Sequence, residues 1–464
     1  MPASHTPPSS SQADPSANGK PVLRVLLVIC ALIAVAFAFG GGGVRYGLAN
    51  LLVQLTALGV LAFHRHEFMA FWRQSPIALR ALVGSSLLIP ILHLAPLPEG
   101  VWSALPGRDL VAQSLAAIDA SGWRPASVDP ARTLVALTGL IVPLTVLTVG
   151  WSIPRRHLMS VGWLIVLLGL ICFLIGVIQV TTGGTSLVFY PERAATDLLY
   201  GTFANRNSTG LFLVGALVMA ALLPFPRPHP AALPARLLIC AALLLAVVLT
   251  RSRTAFVLAA IPIALGLAKT FMTWRQSGTS RADGNSNRAS MAVFGGLTLV
   301  VVALGSVVAI APGRVGEVVE RFEATEDART YIWEDATYSA SRFWPLGAGM
   351  GTFDEVFQVD ESLENLTKRR AGRAHNDYIE LAIEAGLPGL VLAAGWLILV
   401  GWLSWRAGRS QYRWPAWGSG AILLAVALQS ITDYPLRNQT MLAIAAFALL
   451  MLARIAQGSG QEGR

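Results

Sequence analysis

The sequence predicts an all-α, polytopic integral membrane protein of about twelve transmembrane helices, with one long, partly helical loop between the ninth and tenth. Three observations carry that reading. Only 13% of the 464 residues are charged and 54% are hydrophobic, whereas soluble proteins carry about 25% charged residues. Runs near the roughly 20 apolar residues needed to cross a bilayer core recur along the chain. Basic residues gather in alternate connections, the pattern of a multi-pass chain under the positive-inside rule.

Residues 1–20, "MPASHTPPSSSQADPSANGK", hold almost nothing apolar, cannot bury a core, and are expected to be a disordered cytoplasmic N-terminus. Lys20 and Arg24 then introduce the first apolar run, which ends in "AFAFGGGG". That order resembles a signal peptide, but the many spans that follow favour an uncleaved first helix. Spans are expected at about 22–40, 47–63, 77–95, 132–150, 158–180, 208–224, 234–250, 254–270, 291–311, 387–404, 416–433 and 439–456. Residues 21–311 thus form a membrane domain with spans one to nine, and 312–378 a large outer loop. A short helix and spans ten to twelve fill 379–456, and 457–464 is a cytoplasmic tail.

An N-terminus in the cytoplasm places Arg65, Arg73, Arg80, Arg155, Arg156, Lys269, Arg275, Arg406, Arg409 and Arg413 inside, and twelve spans return both termini to that side. Of the 26 acidic residues only Asp14, Glu67, Asp283 and Glu462 fall inside with them. The net charge of +9 therefore reflects basic inner loops, and no nucleic-acid partner is expected. Cys30, Cys172 and Cys240 lie in apolar runs without metal or disulfide spacing.

The outer face collects the chemistry. The long loop is too long for a connector. Val318, Val319 and Phe322 suggest a short amphipathic helix near its start, a second helix is expected around Tyr331–Ser341, and "PLGAGMGTFDEVF" reads as a glycine-rich turn or close backbone approach. It closes on "RAHNDYIELAIEAG", where Asn376 or Asp377 can cap a helix that carries Glu380 and Glu384 on one face and breaks at "GLPGL". His375 stands at that helix N-terminus two residues from Arg373; both disfavour the imidazolium and prepare the ring to accept a proton. Only His93 and His375 of the seven histidines reach the outer side. "GTFANRN" adds Asn205, Arg206 and Asn207 there. "LTRSRTAF" puts Arg251 and Arg253 in a turn almost too short to leave the membrane, and an arginine at membrane depth costs on the order of 3 kcal/mol. Arg329, Arg342, Asp433 and Arg437 complete the set. Arginines facing one outer cavity suit a phosphate-rich anion; the alternative for each is a salt bridge with an outer acid. "His-x-x-x-x-Glu" lacks zinc-site spacing, and neither metal nor cofactor is expected.

"GTFANRN", "TRSRTAF", "ARTYIWEDA", "FWPLGAGMGTF" and "AHNDYIELAIEAGLPG", in that order, resemble the motifs of the O-antigen ligase and O-antigen polymerase superfamily. "LPLPEGVWSALPGRD", "SVDPART" and "TDYPLR" look like its exopolysaccharide polymerase-like members, and the resemblance spans about 90–460. It implies a metal-independent, inverting glycosyltransferase in the bacterial inner membrane. Such an enzyme moves a glycan from an undecaprenyl-diphosphate carrier to an acceptor hydroxyl at the periplasmic face. The acceptor is lipid A–core for a ligase and a carrier-linked glycan for a polymerase, and envelope-polysaccharide assembly proteins are expected partners. The resemblance makes His375, Arg253 and Arg329 the catalytic candidates, with Arg251 an alternative to Arg253. Arg206, Asn205, Asn207, Arg373, Asn376 and Arg437 are candidate substrate-binding residues. Membrane lipid surrounds the spans.

A polysaccharide transporter or flippase is the competing class, since twelve spans with both ends inside is a common carrier architecture. Transporters carry internal repeats and polar groups near the bilayer midplane, whereas here the polar residues crowd one face. A scaffold for an envelope-polysaccharide complex is a third reading, under which His375 and Arg253 would be replaceable.

Overall fold

The computed structural model describes residues 19–191, 197–227, 229–277, 329–366 and 370–458. The expected span at 291–311 and the expected helix around Val318–Phe322 lie outside the described residues, as do most of the N-terminal segment and the end of the tail. Helices dominate. The one sheet among the described residues pairs β1 (Pro96–Leu97) antiparallel with β2 (Arg124–Pro125).

By length and composition, eight helical segments can cross a membrane, or nine if one bent pair is a single span. They include α1 (Gly19–Phe39), α4 (Ile77–Leu94), the consecutive α7 (Pro130–Gly139) and α8 (Ile141–Gly150), and α9 (Arg155–Thr181). Next come α11 (Ala232–Leu249) and the pair α12 (Arg253–Leu258) and α13 (Ala260–Ser277). The bent pair is α2 (Gly47–Phe63) with α3 (Arg65–Gln74), at 79°. Between α4 and α7 lie two short helices, α5 (Glu99–Ser103) and α6 (Asp109–Ala116). The chain is thus an all-α, multi-pass membrane protein.

The expected twelve spans are not all matched. Those placed at 208–224 and 416–433 are helices of 17 residues each, α10 (Arg206–Leu222) and α17 (Arg413–Gln429), short for a bilayer. Burial explains how a short helix is kept: α10 is buried almost throughout, from Ser208 to Met219, so neighbouring helices rather than lipid surround it. The last helix, α18 (Gln439–Gly458), is 78% buried over its apolar stretch and packs against α8 and α17.

The long loop folds as α14 (Arg329–Arg342), a glycine-rich turn, and α15 (Phe353–Asp360). It then enters α16 (Asp377–Ala407), which breaks at Gly386 with φ +56°. A helix end leaves carbonyls without partners. Here the Ile383 carbonyl accepts from Ala348 N–H at 2.8 Å and Glu384 from Gly349 N–H at 2.9 Å. Glycine is required for that approach: a Cβ on Gly347 would lie 2.5 Å from the Glu384 oxygen. Around this seam Ala336, Phe343, Phe353, Phe357 and Ile383 form a small second core. The buried Arg108 ties β2's segment to it, donating to the Ala126 carbonyl at 2.5 Å and the Gly347 carbonyl at 3.4 Å.

Candidate active site

The start of α16 builds one wall. Asn376 caps it, its side-chain oxygen accepting from the N–H groups of Tyr378 (3.0 Å) and Ile379 (3.1 Å), as a capping Asn should. His375 just before it adopts φ +53°, a left-handed conformation that non-glycine residues adopt only when their surroundings fix it. Trp333 of α14 helps to fix it, donating Nε1–H to the Ala374 carbonyl at 2.8 Å.

The turn between α17 and α18 supplies the opposite wall. His375 Nδ1 lies 3.3 Å from Asp433 Oδ1; the carboxylate is 1% exposed and the imidazole 34%. Asn205 Nδ2 donates to the same carboxylate at 3.0 and 3.3 Å. Burial alone would raise the Asp433 pKa, but bonds from His375, Asn207 and the Tyr434 N–H hold its carboxyl below the usual carboxylate range. Tyr434, its ring centroid 5.0 Å from that of His375, is pushed upward by burial and by Asp433 and stays a phenol. An anionic carboxylate on Nδ1 fixes the ring and directs Nε2 outward.

This environment corrects one expectation. Arg373 was expected to repel the imidazolium, but it binds Glu380 at 3.0 Å, and a carboxylate rather than a cation faces the ring.

Arg437 lines the cavity beside His375, yet its guanidinium is held by three carboxylates. These are Glu384 at 3.0 Å, Glu380 at 3.1 Å and Asp377 at 3.4 Å. Burial opposes its charge, but Glu384, Glu380 and Asp377 together keep it protonated well above the ordinary arginine range.

The Arg251–Arg253 turn joins from the other flank. Ser252 caps α12 by accepting from the Ala255 N–H at 3.3 Å, and donates its hydroxyl to Asn207 Oδ1 at 2.8 Å. Thr254 reaches Thr432 at 3.2 Å. Arg253, the first residue of α12, therefore stands beside the Asp433 turn. Arg251 has φ +51° and pairs with Asp197 at 2.8 Å. Arg206 opens α10 next to its cap Asn205. Arg329 opens α14, one turn before Trp333. His375, Asn205, Arg373 and Arg437 line one polar cavity of about 460 Å³; Arg206, Asn207, Arg251, Arg253, Arg329 and Asn376 are not in its lining.

Several lining residues carry no sequence signal of their own: Arg45 and Arg370, with Tyr46 and Tyr190; Arg132 also lines it and belongs to "SVDPART". Asp433 had been visible only as one more outer acid. A second, apolar space of about 1010 Å³ runs between α4, α8, α13, α16, α17 and α18, reaching Asp377, Tyr378 and Ser430 at its polar end.

No curated protein matches the chain. Residues 238–394, which hold Arg251, Arg253, Arg329, Arg373, His375 and Asn376, match the family model described as O-antigen ligase. The chain is thus a multi-pass membrane protein whose residues 238–394 are similar to the O-antigen ligase family.

Proposed function

We propose that the chain is an inverting glycosyltransferase that works without a metal. It transfers a glycan from an undecaprenyl-diphosphate carrier to an acceptor sugar hydroxyl at the periplasmic face of the bacterial inner membrane. One observation carries the reading: a partly exposed histidine at a polar cavity, its Nδ1 on a buried carboxylate.

With Nδ1–H donated to Asp433, the Nε2 lone pair of His375 takes the proton of the acceptor hydroxyl as its oxygen bonds to the anomeric carbon. The bond to the diphosphate breaks on the opposite face and its electron pair leaves with the carrier phosphate, inverting the configuration. Arg253, Arg206 and Arg329 oppose the charge that grows on that leaving group. Asn205 and Asn207 hold Asp433 in place, and Arg437 and Asn376 hold the shape of the wall. The apolar groove between the helices suits a polyprenyl tail, because it offers hydrocarbon contact up to the residues beside His375.

The test uses purified protein in nanodiscs with an undecaprenyl-diphosphate-linked oligosaccharide, offering lipid A–core and a second carrier-linked glycan separately. A ladder of longer carrier-linked glycan identifies a polymerase, and glycan joined to lipid A–core a ligase. His375→Ala is expected to remove either product while the protein still folds. No transfer to either acceptor by the wild type overturns the reading.

A further inference from the structure

Resting on that transfer reading, we propose that the 460 Å³ cavity is the acceptor site and selects an acidic sugar, one bearing a carboxylate or a phosphate, through Arg132 and Arg370. Its volume is in the range of small-ligand pockets, about 300–1,000 Å³. It shares no lining residue with the apolar groove, although both flank the segments 373–378 and 430–438. A donor whose tail fills the groove therefore meets His375 from one side, and the cavity is open to a second substrate from the other.

The cavity is built for a sugar. Tyr46 and Tyr190 meet edge to face with ring centroids 4.5 Å apart and both line the cavity, giving aromatic carbon against which the C–H bonds of a pyranose can pack. The glycine string after α1 lets them close: a Cβ on Gly42 would lie 2.6 Å from both rings. The Ala204 N–H bonds the Gly41 carbonyl at 3.1 Å, tying this floor to the segment that carries Asn205.

Its charge is built for an anion. Arg132 holds Glu355 at 2.7 Å and Arg370 holds Asp354 at 2.8 Å, in both cases through Nε, with the arginine side chains 42% and 51% exposed. Pairs that exposed are weakly held, and the Nη edge of each fork suits a planar carboxylate or a phosphate. Arg45 lines the same wall, close enough that a Cβ on Gly372 would lie 3.5 Å from its Nη2. Arg373 and Arg437, by contrast, are engaged by buried glutamates.

The experiment measures binding to the full-length protein in nanodiscs without donor. Three tetrasaccharides differing only in the terminal residue are compared: glucuronic acid, glucose 6-phosphate and glucose. Wild type is expected to bind at least one acidic form about tenfold or more tighter than the neutral one, the scale of a charge-assisted contact. The acidic form preferred tells a uronic acid from a phosphorylated acceptor. Arg132→Gln combined with Arg370→Gln is expected to erase the preference while elution and unfolding temperature stay unchanged. Equal binding of all three by wild type, or a preference that survives in the double variant, overturns the proposal. If acidic preference is found but no donor is ever transferred, the site stands and the transferase reading falls.

Discussion

The apolar groove and the polar cavity press on the same two segments, 373–378 and 430–438, and follow opposite rules. The groove is walled by long helices whose side chains, Leu144, Leu265, Trp396 and Leu449 among them, repeat at helical spacing and belong to the bundle. The cavity is walled by helix ends and turns: the glycines after α1, the first turns of α7, α10 and α15, and the loop before α16. Between them stands a thin partition of paired charges, Asp433 with His375 and Arg437 with three carboxylates. Keeping the two spaces apart thus falls to a few buried ion pairs. Such pairs contribute little net stability when complete, and removing one partner is costly.

The largest expected effect tests that partition. Arg437→Ala leaves Asp377 and the fully buried Glu384 without their guanidinium partner, and Glu380 with Arg373 alone; the cost is about 3–5 kcal/mol. Thermal unfolding in detergent should show it plainly, with Arg437→Lys recovering only part, because an ammonium cannot reproduce the fork. A variant as stable as wild type would mean that the two spaces do not depend on this pair.

Next comes the half of the partition to which the proposed mechanism assigns proton transfer. Asp433→Asn keeps the volume but replaces an acceptor-only carboxylate by an amide that can donate to Nδ1 and turn the tautomer, with Nε2 then protonated. The expected result is a loss in kcat on the order of 10²-fold with donor and acceptor affinities little changed. An unchanged kcat would remove Asp433 from the mechanism. The sign of its pH dependence is also fixed. A carboxyl held below its unfolded value stabilises the fold above the ordinary carboxylate pKa of about 4. That contribution is lost as pH falls through the lowered value, so the wild type should lose unfolding temperature there and Asp433→Asn should not show that loss.

These two residues also show how far the sequence could be read. The bundle was legible because each long run of apolar residues speaks for itself, and α16's cap and break were legible because Asn376, Glu380 and "GLPG" act within a few residues of one another. His375 stood out by side and by neighbours. Asp433 did not, because its partner lies 58 residues away and only packing of α16 against α17 brings them together. Arg437 was equally open to substrate or salt bridge by sequence, and its three carboxylates come from a helix that begins 60 residues earlier. The cavity's arginines, Arg45, Arg132, Arg370, Arg373 and Arg437, come from four separate stretches of the chain, so no local pattern joins them. The short α10 shows the converse: hydropathy registers burial without saying whether protein or lipid provides it, and here protein surrounds most of the helix.

The smallest expected effect sharpens the comparison from the groove side. Ala264 of α13 faces the groove and is exposed, so Ala264→Trp narrows that space with little strain on the core. Only a substrate whose tail lies in the groove can register the change. With a long polyprenyl carrier, kcat/KM is expected to fall about tenfold, the loss of roughly two buried methylenes of contact. With a short-chain diphosphate analogue it is expected to stay the same. A similar loss with both carriers would place the effect on the partition itself, and no loss with either would take the tail out of this groove altogether.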